Sequence, residues 1–251
     1  MLLKAYSKIN FILKVYPKTN NNKLHKIQSL MVLNKKFYDE ININKSNIDS
    51  IVYNKVKISN CVVKRMLIWF RNRFNINDNY KIKIKKNIPL MSGVGGSATD
   101  AAHILKYLLN LYHLSLTKKD LKDIALNIGS DIPFFLSNLN KAIVSEYGNN
   151  VREFNKIIPA YQLIFTKAKI NSKKLYGYMD CKQFKSKVDF NKALQSLLCN
   201  KNSYKGIYND MQEFAFKLDN NLLNKYQQMS KHSKILISGT GGAFIKLDYE
   251  N

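Results

Sequence analysis

Apolar and polar residues alternate in the first part of the chain and give way to helical spacing further on. Residues 7–16, from Ser7-Lys8-Ile9-Asn10 to Val15-Tyr16, read as a strand, with one lysine set inside an apolar run. Asn20–Lys23 reads as a polar turn, and residues 27–33 and 37–43 as two further strands. From Asn60 onward, Val63, Met66, Leu67 and Phe70 recur at helical spacing. Tyr80–Lys85 alternates lysine with Ile82 and Ile84, the pattern of a half-buried strand. A glycine-rich turn follows, and then a helix from about Ala98 to Leu111, whose Ala101, Ile104, Leu105, Leu108 and Leu111 form one face. Thr117 and Asp120 have the spacing of a helix N-cap, and Gly129 would end that helix.

Past residue 152 the texture changes. A strand is expected at Gln162–Phe165 and helix over Asn209–Met229. Last comes a hairpin, Ile235–Ser238 and Ala243–Leu247, around Gly239-Thr240-Gly241-Gly242. There is no internal repeat and no long linker. Strands cluster early and helices enter without regular βαβ alternation, so the expected class is α+β. A boundary near residues 152–160 divides the chain into expected domains 1–153 and 154–251.

Composition narrows the partners. With 251 residues, 45% hydrophobic and 12% aromatic, the chain can build a core and is not wholly disordered. No apolar run approaches the roughly 18–20 residues that span a bilayer. The segment from Met1 to Lys8 lacks a signal-peptide core. A cytoplasmic protein with no membrane partner is expected. The net charge is +24, from 41 Lys+Arg against 17 Asp+Glu. Such a surplus attracts anions in general. Arginine occurs only at Arg65, Arg71, Arg73 and Arg152, however, too few for the forks that read phosphates and base edges. Lysine, asparagine and isoleucine enriched together point instead to the codon bias of an AT-rich, reduced genome. The expected partner is therefore a small anionic molecule, with no nucleic acid, acting on a monomer or weak dimer. Cys61, Cys181 and Cys199 and the histidines His25, His103, His113 and His232 show no metal-ligand spacing, so no metal-ligand residue is assigned.

Four short segments carry candidate chemistry. Pro89-Leu90-Met91-Ser92-Gly93-Val94-Gly95-Gly96-Ser97-Ala98-Thr99 lies between a predicted strand and a predicted helix. Its glycines let backbone N–H groups converge, the helix start adds a positive dipole end, and Ser97 and Thr99 add hydroxyls: a cradle for phosphate. It is neither a Walker A loop nor a dinucleotide fingerprint. Gly129-Ser130-Asp131-Ile132-Pro133 puts a carboxylate beside an apolar run, where it can act as a base or simply shape a turn. Lys8, inside its strand, calls for a carboxylate partner if it points inward. Gly239-Thr240-Gly241 makes a second tight turn.

In this order the segments resemble the GHMP kinase superfamily. Ser7-Lys8-Ile9-Asn10, Leu24-His25-Lys26-Ile27-Gln28-Ser29 and Gly129-Ser130-Asp131-Ile132-Pro133-Phe134 are similar to the 4-diphosphocytidyl-2-C-methyl-D-erythritol kinases within it. The likeness runs from about residue 5 to 247. It implies a two-domain fold, ribosomal protein S5 domain 2-like at the N-terminus and a ferredoxin-like α/β sandwich at the C-terminus. It implies an ATP- and Mg²⁺-dependent kinase acting on the 2-hydroxyl of that cytidyl substrate in non-mevalonate isoprenoid biosynthesis. By the same resemblance Asp131 is the base that takes the hydroxyl proton, and Lys8 keeps it ionised. Asn10, His25 and Tyr176 bind substrate, the last two at the cytosine. Pro89, Gly93, Gly95, Gly96, Ser97 and Thr99 hold the ATP phosphates. Asn60 and Lys86 lie near the nucleotide, and Gly239, Thr240 and Gly241 lie against the methylerythritol end.

Three features depart from that pattern. Leu24 stands where the family usually has an aromatic residue. The family's Gly-x-Gly-Glu reads Glu146-Tyr147-Gly148-Asn149, and the chain ends four residues after Leu247, short of a further helix and strand. Alternatives are another GHMP kinase (mevalonate- or homoserine-type), a basic nucleic-acid-binding protein, and a relic that binds nucleotide only.

Overall fold

A computed structural model describes residues 2–18, 24–182, 184–199, 204, 206–231 and 233–248. The turn expected at Asn20–Lys23 and His232 lie outside the described residues. In chain order the elements are β1 (Leu2–Val15), β2 (Ile27–Ser46), β3 (Ser50–Tyr53), β4 (Val56–Lys57), α1 (Val62–Phe74), β5 (Asn79–Lys85), α2 (Gly96–Leu111), α3 (Lys118–Asn127) and α4 (Ile132–Leu136). Then come β6 (Lys141–Glu146), β7 (Asn150–Glu153), β8 (Gln162–Phe165), α5 (Ser172–Cys181), α6 (Phe190–Cys199), α7 (Gln212–Leu218), α8 (Asn220–Met229), β9 (Ser233–Ile237) and β10 (Ala243–Asp248). The mixture is α+β, as expected. Among the described residues no helix is long and apolar enough to cross a membrane.

The first seven strands form one sheet in the order β4-β3-β5-β2-β6-β7, with β1 also paired to β2. Pairing is antiparallel except between β3 and β5. The strands expected at 27–33 and 37–43 are a single strand, β2. Its register against β1 jumps from Ser7↔Asn34 to Tyr6↔Tyr38, so Lys35, Lys36 and Phe37 bulge out and interrupt the alternation. A smaller three-stranded sheet, β8-β10-β9, is built by the last strands. The helix expected over 209–229 breaks at Asp219, whose side chain accepts from Leu222 N and caps α8.

β1 lies between two cores, which is why Ser7 through Leu13 are all buried. Ile9, Phe11 and Ile12 pack with Leu236, Ile245 and Leu247 of the small sheet. Leu13 and Val15 join the larger core with α1 and α2. The switch of faces comes from a second register shift, between Asn10 and Ile12. One face of this strand therefore anchors the two sheets to each other through apolar contact. The opposite face, at Lys8 and Asn10, is left to line a cavity between them.

Candidate active site

The cavity has a volume of about 590 Å³, within the ordinary range for small-molecule sites. Its floor is the Lys8 ammonium, 3% exposed, with Asp131 Oδ2 at 3.2 Å. Strand β1 delivers the lysine. The end of α3 and Gly129 deliver Asp131, at the N-terminal edge of α4. Lys8 Nζ also donates to Asn10 Oδ1 at 2.5 Å and to the Gly93 carbonyl at 3.3 Å. Asn10 is fixed in turn by donating from Nδ2 to Ser29 Oγ at 2.8 Å, and that hydroxyl donates to the Ile12 carbonyl. A buried cation with three oxygen partners, one of them a quarter-exposed carboxylate, meets the need that burial imposes on it.

One wall is the glycine-rich turn. Gly95 (φ +78°) is the residue preceding α2, and a β-carbon there would stand 3.2 Å from Lys8 Cε and 3.0 Å from the Phe135 ring. Only a glycine lets the α2 N-terminus approach the lysine so closely. Gly96, Ser97 and Ala98 then open the helix into the cavity, where its free N–H groups and dipole favour an anion. The second glycine turn closes against the first. A β-carbon on Gly239 would stand 2.5 Å from the Gly93 carbonyl oxygen, and the Ser238 hydroxyl lies between Asn10 N and Gly93 O, 3.4 Å from each.

Lys86 reaches the cavity from the end of β5. Its ammonium is held between two fully buried carboxylates, Asp39 and Asp100 (2.7 Å to Asp100 Oδ2). Asp39 also accepts from the backbone N–H groups of Asn87 and Ile88. Burial, and after it the Asp39 charge, push the Asp100 carboxyl up to about 7 against the pull of Lys86. The sequence reading missed both acids. Asp39 was findable: period two puts it on the inward face of β2 with Ile41 and Ile43. Asp100 gives no such signal beyond its place among the buried alanines of α2. Ser238, Arg65 and Lys173, the last two also lining the cavity, were missed as well.

Tyr176 lines the far end, from α5, whose first turn is capped by Asn171. Its ring stacks on His25, with centroids 5.1 Å apart and planes 19° apart. His25 Nδ1 lies 2.8 Å from the Tyr16 carbonyl, so that nitrogen carries the proton. Nε2 lies 2.8 Å from Asp180 Oδ1. Burial works against the Asp180 charge, but the Lys18 ammonium on its other oxygen holds the carboxyl below its ordinary value. Both His25 nitrogens therefore face protein groups. Nε2 nevertheless makes no hydrogen bond among the described residues, and the ring presents its face to Tyr176.

Of the remaining expected residues, Pro89, Gly93 and Thr240 line the cavity and three do not. Gly241 is buried beneath the second turn, where a β-carbon would meet Ile170 at 2.8 Å. Thr99 is fully buried, with its hydroxyl 3.2 Å from His103 Nδ1, turned along α2 and not toward the loop. Asn60 is exposed ahead of α1 and outside the cavity lining. No group of three or more His, Cys, Asp or Glu side chains fit to hold a metal ion occurs among the described residues.

The arrangement suits transfer of a charged group. A helix end that favours an anion and the Lys8 ammonium adjoin a carboxylate that can accept a proton. Comparison with known proteins agrees in kind. Residues 61–138 match the GHMP kinases N terminal domain. A 4-diphosphocytidyl-2-C-methyl-D-erythritol kinase of Ureaplasma parvum serovar 3 is 31% identical over 260 residues, covering 100% of this chain and 97% of the relative. One of the same name from Clostridium perfringens is 29% identical, covering 96% of this chain and 86% of the relative. A crystal structure of 4-(cytidine 5'-diphospho)-2C-methyl-D-erythritol kinase superposes with a TM-score of 0.75 at 21% identity, over 98% of this chain and 90% of that one. Streptococcus pneumoniae phosphomevalonate kinase shares the fold at a TM-score of 0.67 and 14% identity, over 100% of this chain and 92% of that one.

Proposed function

Because the chain belongs to the 4-diphosphocytidyl-2-C-methyl-D-erythritol kinase family, we infer that it transfers the γ-phosphoryl group of ATP to the 2-hydroxyl of 4-diphosphocytidyl-2-C-methyl-D-erythritol. The reaction serves non-mevalonate isoprenoid biosynthesis. The observation that carries the residue assignment is the Lys8–Asp131 pair, 3.2 Å apart at the floor of a cavity walled by the glycine turn and the α2 N-terminus.

The phosphates of ATP lie over Gly93–Ser97, where the α2 N-terminus offsets their charge and Lys86, paired with Asp39 and Asp100, lies close by. The cytosine of the acceptor rests on Tyr176, which His25 braces from behind. The acceptor hydroxyl points at Asp131 and gives its proton to that carboxylate. The oxygen forms a bond to the γ-phosphorus as the bond to the β,γ-bridging oxygen breaks, and ADP leaves. Lys8, shared among Asp131, Asn10 Oδ1 and Gly93 O, keeps the base in place and balances charge at the reacting oxygens.

The donor set fits Mg²⁺ brought in with the nucleotide, since at such sites the ion takes most ligands from phosphates and water and few from protein. The Ser97 hydroxyl, at the cavity wall, would hold it, and the bound ion would neutralise phosphate charge. We propose two domains, 1–153 and 154–251, a division supported by the end of the large sheet at Glu153 and the start of the small one at Gln162.

The reading is tested by offering the purified chain ATP with four acceptors: 4-diphosphocytidyl-2-C-methyl-D-erythritol, phosphomevalonate, mevalonate and homoserine. Turnover with the first alone is expected. Turnover with another acceptor and none with the first overturns the substrate assignment.

A further inference from the structure

A second cavity, of about 570 Å³, lies on the side of α4 away from the active site. Its apolar lining comes from Leu109, Leu116, Leu121, Pro133, Leu136 and Val151. Two lysines, Lys106 and Lys118, and the neutral polar Ser137, Asn149 and Asn150 also line it, and no carboxylate is among its described lining residues. Lys106 is partly buried on α2, and its ammonium reaches only the neutral Asn138 Oδ1, at 2.5 Å. Burial lowers its pKa, with no acid to compensate. A cavity of this size with an apolar body and two cations at its edge is complementary to a molecule with an apolar chain and a dianionic head.

The cavity also touches what holds Asp131. Pro133, Leu136 and Ser137, which line it, belong to α4 and its C-cap, and Asp131 is the residue just before that helix. Asn149, from the β6–β7 turn, and Asn150 and Val151, at the start of β7, line the other side. That turn is wedged against Ser130, since a β-carbon on Gly148 would stand 2.0 Å from the Ser130 carbonyl oxygen. Two of the cavity's walls thus bear directly on the Ser130–Asp131 segment.

We propose that this cavity is a binding site for a small phosphate-bearing amphiphile, and that its occupancy changes phosphoryl transfer by shifting Asp131 through α4. Binding there does not depend on which acceptor the active site uses.

The probe is octyl phosphate, titrated by calorimetry into the full chain saturated with a non-hydrolysable ATP analogue, with 1-octanol and inorganic phosphate in parallel. Octyl phosphate is expected to bind, and each control to bind at least about tenfold more weakly, since each lacks one of the two complementary parts. Lys106→Met should weaken binding by about tenfold, the loss of one charge-assisted contact. Leu121→Trp, or Val151→Trp should the first variant fail to fold, should abolish it while the circular dichroism spectrum is retained. In turnover, octyl phosphate should change kcat and leave the KM for ATP unaltered. No binding by the wild-type chain overturns the proposal. So does undiminished binding to the tryptophan variants, or competition between octyl phosphate and the ATP analogue.

Discussion

Gly93 packs against Ser238 so closely that a β-carbon on the glycine would stand 2.2 Å from the Ser238 carbonyl oxygen. Gly93 also has φ +76° and presents its own carbonyl to Lys8 Nζ. The contact locks the phosphate turn of the large sheet to the C-terminal turn of the small one. Gly93→Ala should therefore destabilise the fold by more than about 3 kcal/mol, combining left-handed backbone strain with a clash against backbone. Gly177, inside α5 with open space around it, is the control: Gly177→Ala should stabilise by about 0.5–1 kcal/mol. Urea unfolding of both variants checks the pair of signs.

The buried Asp39–Lys86–Asp100 cluster has a definite pH signature. The Asp100 value of about 7 in the folded chain is above the ordinary 3.8, so ionising it opposes folding. Its contribution is most favourable below about pH 4 and is lost as pH rises to about 7. Asp100→Asn should remove that part of the fall in stability between pH 5 and pH 8. Lys86→Met should cost about 3–5 kcal/mol at pH 8, because it strands Asp39 without a counter-charge. Denaturant midpoints at the two pH values, for wild type and both variants, give the comparison.

Asp120 has the opposite sign. The Arg73 guanidinium, 2.6 Å from Oδ1, together with the Thr117 capping box, outweighs burial and holds its carboxyl near 2. The stabilisation is present above the ordinary value of 3.8 and is lost as pH falls through about 2. Arg73 is nearly half exposed, so salt screens part of the effect. Asp120→Ala should lower stability by about 1–2 kcal/mol at pH 7, and the loss should vanish near pH 2, as followed by urea unfolding across that range.

What could be read in the sequence followed from period and punctuation. β5 and α2 stand out because Ile82 and Ile84, and Ala101 to Leu108, keep their spacing without interruption. The continuity of β2 was hidden because Lys35, Lys36 and Phe37 bulge out of register and mimic a turn. α4 was missed because five residues, Ile132–Leu136, are too few to show a helical period. At the site, Lys8 could be singled out as a cation in an apolar strand that needed a carboxylate, and the fold sets Asp131 beside it. The Thr99 hydroxyl, read as part of the phosphate cradle, turns to His103, because sequence order says nothing of which way a helical side chain points. The ties of His25 to Tyr16 and Asp180, some 9 and 155 residues away, are tertiary and leave no local trace.

In the proposed mechanism Asp131 takes the acceptor's proton as phosphate is transferred. The direct measurement is ATP-dependent phosphorylation of 4-diphosphocytidyl-2-C-methyl-D-erythritol, followed by phosphorus NMR, for wild type and Asp131→Asn. Turnover by the wild type, with kcat reduced by about 10²–10⁴-fold in the variant and ATP binding retained, is the predicted result. Undiminished turnover in Asp131→Asn would contradict the assignment of the base, and a folded, ATP-binding wild type with no turnover would contradict the kinase reading itself.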